Sequence, residues 1–228
     1  MSDAEVLNEF RRALVEGLFR SCVRDGDIEI ANRPASEIIA DFDEILREMV
    51  DDPGFSGEQV HPIFDHGDKL LSRAESELST GDPLISIVFY VIWLEHYVNG
   101  TLAWAFERQG HTRDAYFPII RQLNIEIKLT ATWKLLGLPE VSREKLALIK
   151  QAIELRNGFI HYKWPALTHR EADQQKDRER RIAAEMPSLV SHLLELENEL
   201  LWSGREEEIV AAFREDVTRR ESRQDGAP

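Results

Sequence analysis

Cysteine is nearly absent: Cys22 is the only one in 228 residues. An intramolecular disulfide is therefore excluded, which fits a chain kept in a reducing cytosol, and a cytoplasmic location is the expectation. Long hydrophobic runs are absent too. The longest, LISIVFYVIWL at 84–94, stops at Glu95 and His96, well short of the roughly 20 apolar residues a membrane span needs. It reads as a helix buried in protein, and no membrane association is expected. The start, MSDAEVLNEF, is acidic and has no apolar segment behind a basic stretch, so no secretion signal is expected. There is no glycine-rich phosphate loop, no dinucleotide fingerprint and no dependable Ser-His-Asp pattern. His61, Asp65, His66 and Asp68 lie close together but lack the two-plus-two spacing of a zinc site. They read as a polar cluster, and neither metal nor cofactor is expected.

Positive charge is also scarce. The chain carries 28 Lys and Arg against 42 Asp and Glu, a net charge of −14. That balance argues against a general nucleic-acid binder. The distribution qualifies it. Residues 1–82 hold 20 acids and 8 bases, whereas residues 155–181 hold 7 bases and 4 acids. Exposed charges are screened beyond about 10 Å, so this locally basic stretch permits an anionic ligand.

What is present is helical periodicity from end to end, and no strand alternation or internal repeat. Apolar positions Val6, Leu7, Phe10, Leu14 and Leu18 predict a helix over 4–23, and Ile38, Ile39, Phe42, Ile45, Leu46 and Met49 one over 34–50. Residues 51–64 read as loop and 66–79 as a short helix. Asp82-Pro83 is a cap followed by a first-turn proline, predicting a helix over 83–108 that is apolar on nearly every side up to 94. Further helices are predicted over 117–136, ending at Gly137, and over 142–164, capped by Ser142. Residues 165–177 read as loop. A last helix is predicted over 178–202, kinked or restarted at Pro187. The predicted organisation is an acidic helical extension (1–65), a four-helix up-down bundle (66–202) and a charged tail (203–228) with a disordered end.

The stretch LRNGFIHYKW, 155–164, breaks the apolar pattern of its helix. On a wheel of 100° per residue, Leu146, Ile149, Ile153 and Ile160 form one stripe, with Asn157 inside it. Leu148, Ala152, Leu155 and Phe159 form a second stripe. Two apolar faces predict two packing partners, the bundle and a second subunit. Asn157 and His161, four apart, share a side of the helix. Arg156 and His161 lie about 140° apart on the wheel. A buried asparagine needs hydrogen-bond partners, or it costs about 1–3 kcal/mol. Glu95 and Asn99, one turn apart at the end of the apolar run, are the candidates, and a Glu95 carboxylate is expected to take Arg156 bidentately.

Arg156-Asn157, three residues, then His161, near the end of the third bundle helix, resembles the HEPN superfamily. Its signature is an arginine followed four to six residues later by histidine, often with a polar residue after the arginine and an acidic or amide residue on the preceding central helix. Glu95 and Asn99 stand in that place. The resemblance covers about residues 66–202. It implies a metal-independent endoribonuclease acting as a homodimer on an RNA substrate, in a toxin–antitoxin, stress or phage-defence setting, and it leaves room for an antitoxin or other regulatory partner. Toxin members that a nucleotidyltransferase antitoxin modifies carry tyrosine two positions after the histidine. Here Lys163 stands there and the tyrosine is Tyr162, so the resemblance does not extend to that site. Implied roles are catalytic for Arg156, His161 and Asn157, supporting for Glu95 and Asn99, and substrate-binding for Tyr162, Lys163 and Trp164.

The residues also admit plainer readings. Arg156 and Glu95 suit a structural ion pair, His161 suits a helix C-terminus, and Tyr162 and Trp164 suit the closure of a helix end. Under those readings the chain is a non-catalytic helical interaction module.

Overall fold

The computed structural model describes residues 3–51, 67–161 and 168–224. The described residues are all-helical, with no strand among them: α1 (Asp3–Asp25), α2 (Ala35–Asp51), α3 (Gly67–Thr80), α4 (Pro83–Arg108), α5 (Arg113–Gln122), α6 (Ile125–Ile127), a π-helical turn (Lys128–Thr132), α7 (Trp133–Leu135), α8 (Arg143–Ile160), α9 (His169–Trp202) and α10 (Glu206–Gln224). No helix among them is long and apolar enough to cross a membrane. The chain divides into two compact units, residues 1–62 with 195–228, and residues 63–194. The division falls inside α9, and the unit formed by the chain ends joins segments far apart in sequence.

That first unit is built on an aromatic core. Phe19 of α1 stacks on Phe213 of α10 at 4.4 Å between centroids, and Phe42 of α2 meets both rings edge-on. Trp202, Ile209 and Val210 belong to the same buried set, with Val23, Ile28, Ile30, Ile38 and Ile39. The residues from 203 on, read from their alternating charges as a tail with a disordered end, are instead helix α10 as far as Gln224. Two of their arginines pair with carboxylates of other helices at the surface. Arg214 donates two hydrogen bonds to Glu16 at 2.6 and 2.8 Å, and Arg220 donates two to Asp43 at 2.7 and 2.6 Å. The apolar residues just ahead of them in α10, Ile209, Val210 and Phe213, are buried in the core. The predicted apolar face of α1 is used only in part: Val6, Leu7, Phe10 and Leu14 are exposed, and burial begins at Phe19.

The second unit is organised around α4. Asp82 caps it, accepting a hydrogen bond from the Ile85 N–H at 3.1 Å, and Pro83 occupies the first turn. Gly110, at φ +79°, takes the left-handed conformation that ends it. Ile87, Val91, Leu94, Val98 and Leu102 are completely buried. Neighbours hold α4 at several points. Ser86 donates to the Ala74 carbonyl of α3 at 2.8 Å, and the Tyr97 hydroxyl donates to the Leu193 carbonyl of α9 at 2.6 Å.

Two further expectations need correction. The helix predicted over 117–136 is not continuous: α5 starts at Arg113, and the chain turns extended at Leu123. Asn124 then caps a new start, its side chain accepting from the Ile127 N–H at 2.9 Å. An asparagine side chain competes with the helix for backbone donors, which is why it restarts a helix more readily than it continues one. The stretch 165–177, read as loop for its polarity, is helical from His169. Thr168 and Glu171 form a reciprocal capping box there: the Thr168 N–H donates to the Glu171 carboxylate at 2.8 Å, and the Glu171 N–H donates to the Thr168 hydroxyl at 3.4 Å. Pro187 lies inside α9, which continues through it.

Two outcomes test this account of the first unit. Phe213→Ala, which opens the centre of the aromatic core, is expected to destabilise that unit by about 3–5 kcal/mol in chemical denaturation; a loss under about 1 kcal/mol would mean that α10 does not share the core. The second concerns Glu16. The Arg214 guanidinium holds its carboxyl below the ordinary glutamate value of 4.5, with burial opposing and Arg20 assisting. A lowered folded-state pKa gives stability that is complete above pH 4.5 and is lost as pH falls through the folded value. The melting temperature of wild type should therefore fall more steeply between pH 6 and pH 3 than that of Glu16→Gln. Parallel curves would remove the pair from the account.

Candidate functional site

The site begins where the apolar surface of α4 stops. Glu95 and Asn99, both half-buried and four residues apart, occupy the same side of α4 one turn from each other. Each holds a cation from a different element. Arg156 of α8 donates through Nη2 to Glu95 Oε1. Lys128 of the π-helical turn donates through Nζ to Asn99 Oδ1 at 2.7 Å. Arg156 is well covered, its side chain 16% exposed, whereas that of Glu95 is 43% exposed. The pair therefore has one side toward solvent. The bidentate geometry expected for it is not observed: a single guanidinium nitrogen meets the carboxylate, and Arg156 Nε is buried without an acceptor.

Lys128 was missed in the sequence. It stands in the run IEIKLT, where a lysine between an isoleucine and a leucine reads as the wet position of a helix. In the structure the side chain is buried, only 8% exposed. The restart of the helix at Asn124 sets the phase of the residues that follow it: Lys128 reaches Asn99 of α4, while Ile127 is 42% exposed. Burial pushes the Lys128 ammonium below its ordinary value, and the Glu95 carboxylate works against that shift. The available signal was Asn124: a cap four residues upstream breaks the helical register on which the wet-position reading depends.

Asn157 and His161 lie at the end of α8. The His161 N–H donates to the Asn157 carbonyl at 3.1 Å, so His161 is the capping residue and its side chain is exposed. Among the described residues, no hydrogen bond joins the His161 imidazole to Arg156, Asn157, Glu95 or Asn99. Asn157 is half-buried rather than sealed among isoleucines, because its stripe is only partly covered: Ile149 is buried, Ile153 half-buried and Ile160 46% exposed. The second stripe packs inward through Leu148, Ala152 and Leu155, with Phe159 39% exposed. Leu146, Ile149 and Ile153 line one wall of a cavity of about 350 Å³ whose other wall includes Leu129. Tyr162, Lys163 and Trp164 lie outside the described residues, as do His61, Asp65 and His66. Among the described residues no cluster of His, Cys, Asp or Glu has the makings of a metal site.

Charge is partitioned between the two units. Residues 1–62 and 195–228 contain 25 acidic and 11 basic residues, the whole net charge of −14. Residues 63–194 contain 17 of each. The unit that carries Arg156 and Lys128 is thus neutral, and the acidity of the chain says nothing against an anion in it.

The ion pair predicts a measurable coupling. Glu95→Ala leaves Arg156 covered and unpaired, and Arg156→Met leaves Glu95 in water. Each is expected to cost about 1–3 kcal/mol in urea denaturation, and the double variant should cost about 1 kcal/mol less than the sum. Strict additivity would show that the contact contributes nothing.

Comparison with family models, with curated proteins and with solved structures finds no match to this chain.

Proposed function

We propose that the protein is a metal-independent endoribonuclease of HEPN type. In this reading the second unit is a HEPN-like four-helix up-down bundle with α4 and α8 as its central pair, and the active form is a cytoplasmic homodimer. The observation that carries it is the Glu95–Arg156 pair: an arginine at the end of α8 is held by a carboxylate from the neighbouring central helix, with an exposed histidine five residues further on. Held by Glu95 through one nitrogen, the guanidinium keeps further N–H donors that a phosphate can take.

RNA brings its own nucleophile, the 2′-OH, which DNA lacks. The 2′-oxygen attacks the adjacent phosphorus, the bond to the 5′-oxygen breaks, and a 2′,3′-cyclic phosphate remains. One group must take the 2′-OH proton and another must protonate the leaving 5′-oxygen. Histidine suits both roles near neutral pH. A chain supplies one His161, and a two-fold dimer supplies two, one for each proton. Arg156 binds the scissile phosphate and stabilises the charge that develops on it. Asn157 hydrogen-bonds the phosphate or orients His161. Tyr162 and Trp164 stack on bases, and Lys163 takes a neighbouring phosphate. A setting in toxin–antitoxin, stress or phage-defence systems, with an antitoxin or other regulatory partner, goes with this chemistry.

A second reading has its own support. The exposed Ile160 and Phe159 and the absence of an imidazole contact to Arg156 favour a non-catalytic interaction module, in which α8 buries its open stripe against a partner.

Incubating purified wild type, Arg156→Ala and His161→Ala with total RNA and tRNA in EDTA separates the two. Cleavage to cyclic-phosphate ends by wild type alone is the expected result. Inactive dimeric wild type favours the interaction module. Metal-dependent cleavage that survives His161→Ala would mean a different chemistry elsewhere.

A further inference from the structure

Lys128 is harder to explain as packing than any other buried charge in its unit. It comes from an interrupted segment, it is almost completely covered, and its hydrogen-bond partner is the neutral oxygen of Asn99. Among the described residues it forms no ion pair. A buried ammonium costs several kcal/mol unless it is paired, and methionine would fill the same space without that cost. Glu95 lies near enough to favour the charged form, yet it is already engaged by Arg156. One turn of α4 therefore gathers two cations and one carboxylate. The donors outnumber the acceptors: Arg156 Nε is buried with none, and the Lys128 ammonium has three N–H groups, one of them directed to Asn99. Lys128 is also the first residue of a π-helical turn, a distortion frequent at functional sites.

We infer that Lys128 is the second cation of the Arg156 site, and that the two together bind one phosphodiester of an RNA strand, with Asn99 orienting the ammonium. The inference rests on the ribonuclease reading. The division of labour follows from the chemistry of the two side chains. The planar guanidinium, tethered to Glu95 through one nitrogen, offers its remaining N–H groups in a fixed fork and sets the direction of approach. The ammonium is a point charge without a preferred plane, and it adds attraction at a second phosphate oxygen. Glu95 keeps the two cations from repelling each other before the strand arrives. Asn99 is thus a positioning residue for Lys128, in place of the contact to Asn157 expected from the sequence.

The test measures binding, not cleavage. The probe is a fluorescein-labelled single-stranded RNA with 2′-O-methyl groups throughout, which has no nucleophile to react, titrated by anisotropy at several salt concentrations. Lys128→Met is expected to weaken binding about tenfold, the loss of one charge-assisted contact, and to reduce the salt slope by about 0.7, the value for one phosphate on a single strand. Lys128→Gln keeps a donor for Asn99 without the charge, and should lose affinity to the same degree while melting within a few degrees of wild type, which covers the case of Lys128→Met failing to fold. Lys128→Arg should keep most of the affinity. Lys69→Met, at an exposed position on α3, should change neither quantity. If wild type binds and Lys128→Gln matches it in affinity and slope, Lys128 is a core lysine and the inference is wrong while the ribonuclease reading stands. If wild type binds no RNA at any salt concentration, that reading fails and takes the inference with it.

Discussion

The second unit depends on a single constraint: α4 is buried on nearly every side, and its apolar sequence runs out before the helix does. From Pro83 to Leu94 its neighbours mostly need only match it in shape, the buried Ser86 hydroxyl being served by the Ala74 carbonyl. At Glu95 and Asn99 the helix still lies among its neighbours but has polar groups to satisfy. Leaving either unpaired would cost about 1–3 kcal/mol, so the elements packed there must bring complementary donors. Arg156 and Lys128 are those donors. The polar site is thus a consequence of where the hydrophobic run ends. The side-chain exposure of Glu95, greater than that of Arg156, shows which partner faces solvent.

The first unit solves a different problem. Its segments come from the two ends of the chain, so loop closure opposes its assembly, and its core is small. Aromatic residues answer that: Phe19, Phe42, Phe213 and Trp202 each bury a large area in few positions. The pairs Arg214–Glu16 and Arg220–Asp43 add little free energy on a surface. What they do fix is register, since each joins α10 to one particular helix at one particular level. A segment rich in charge can therefore be an ordered helix, provided that its charges have specific partners elsewhere in the chain.

Sequence periodicity was a good guide wherever a single helix buried one face or was capped by the usual residues. α2, α4 and the start of α8 lie where Ile38–Phe42, Asp82-Pro83 and Ser142 put them. It failed where the deciding interaction was not periodic. Asn124 interrupts a helix that its neighbours favour, the Thr168–Glu171 capping box begins a helix inside a polar stretch, and α10 is specified by Glu16 and Asp43, some two hundred and 177 positions away respectively. The candidate site divides in the same manner. Glu95 facing Arg156 was legible, because both sit where apolar patterns break. Lys128 was not, because the continuous helix predicted over 117–136 gives it no special place, and the restart at Asn124 sets a new phase four residues before it.

The partition of charge bears on how such a chain meets a polyanion. A net charge of −14 over the whole molecule would repel RNA at long range, but a Debye length near 8 Å at physiological ionic strength confines that repulsion to the neighbourhood of the charges that cause it. Those charges belong to the unit made by the chain ends, while residues 63–194 balance acids and bases. At short range the balance is decided by arrangement. Two covered cations, one paired with Glu95 and the other bonded to the neutral Asn99, put a local excess of positive charge in a setting less screened than water. In the proposed reading, such a cluster in a neutral unit favours one phosphate at one place over general attraction to nucleic acid. Selectivity of that kind suits an enzyme that must cut at particular positions better than it suits a protein that coats its ligand.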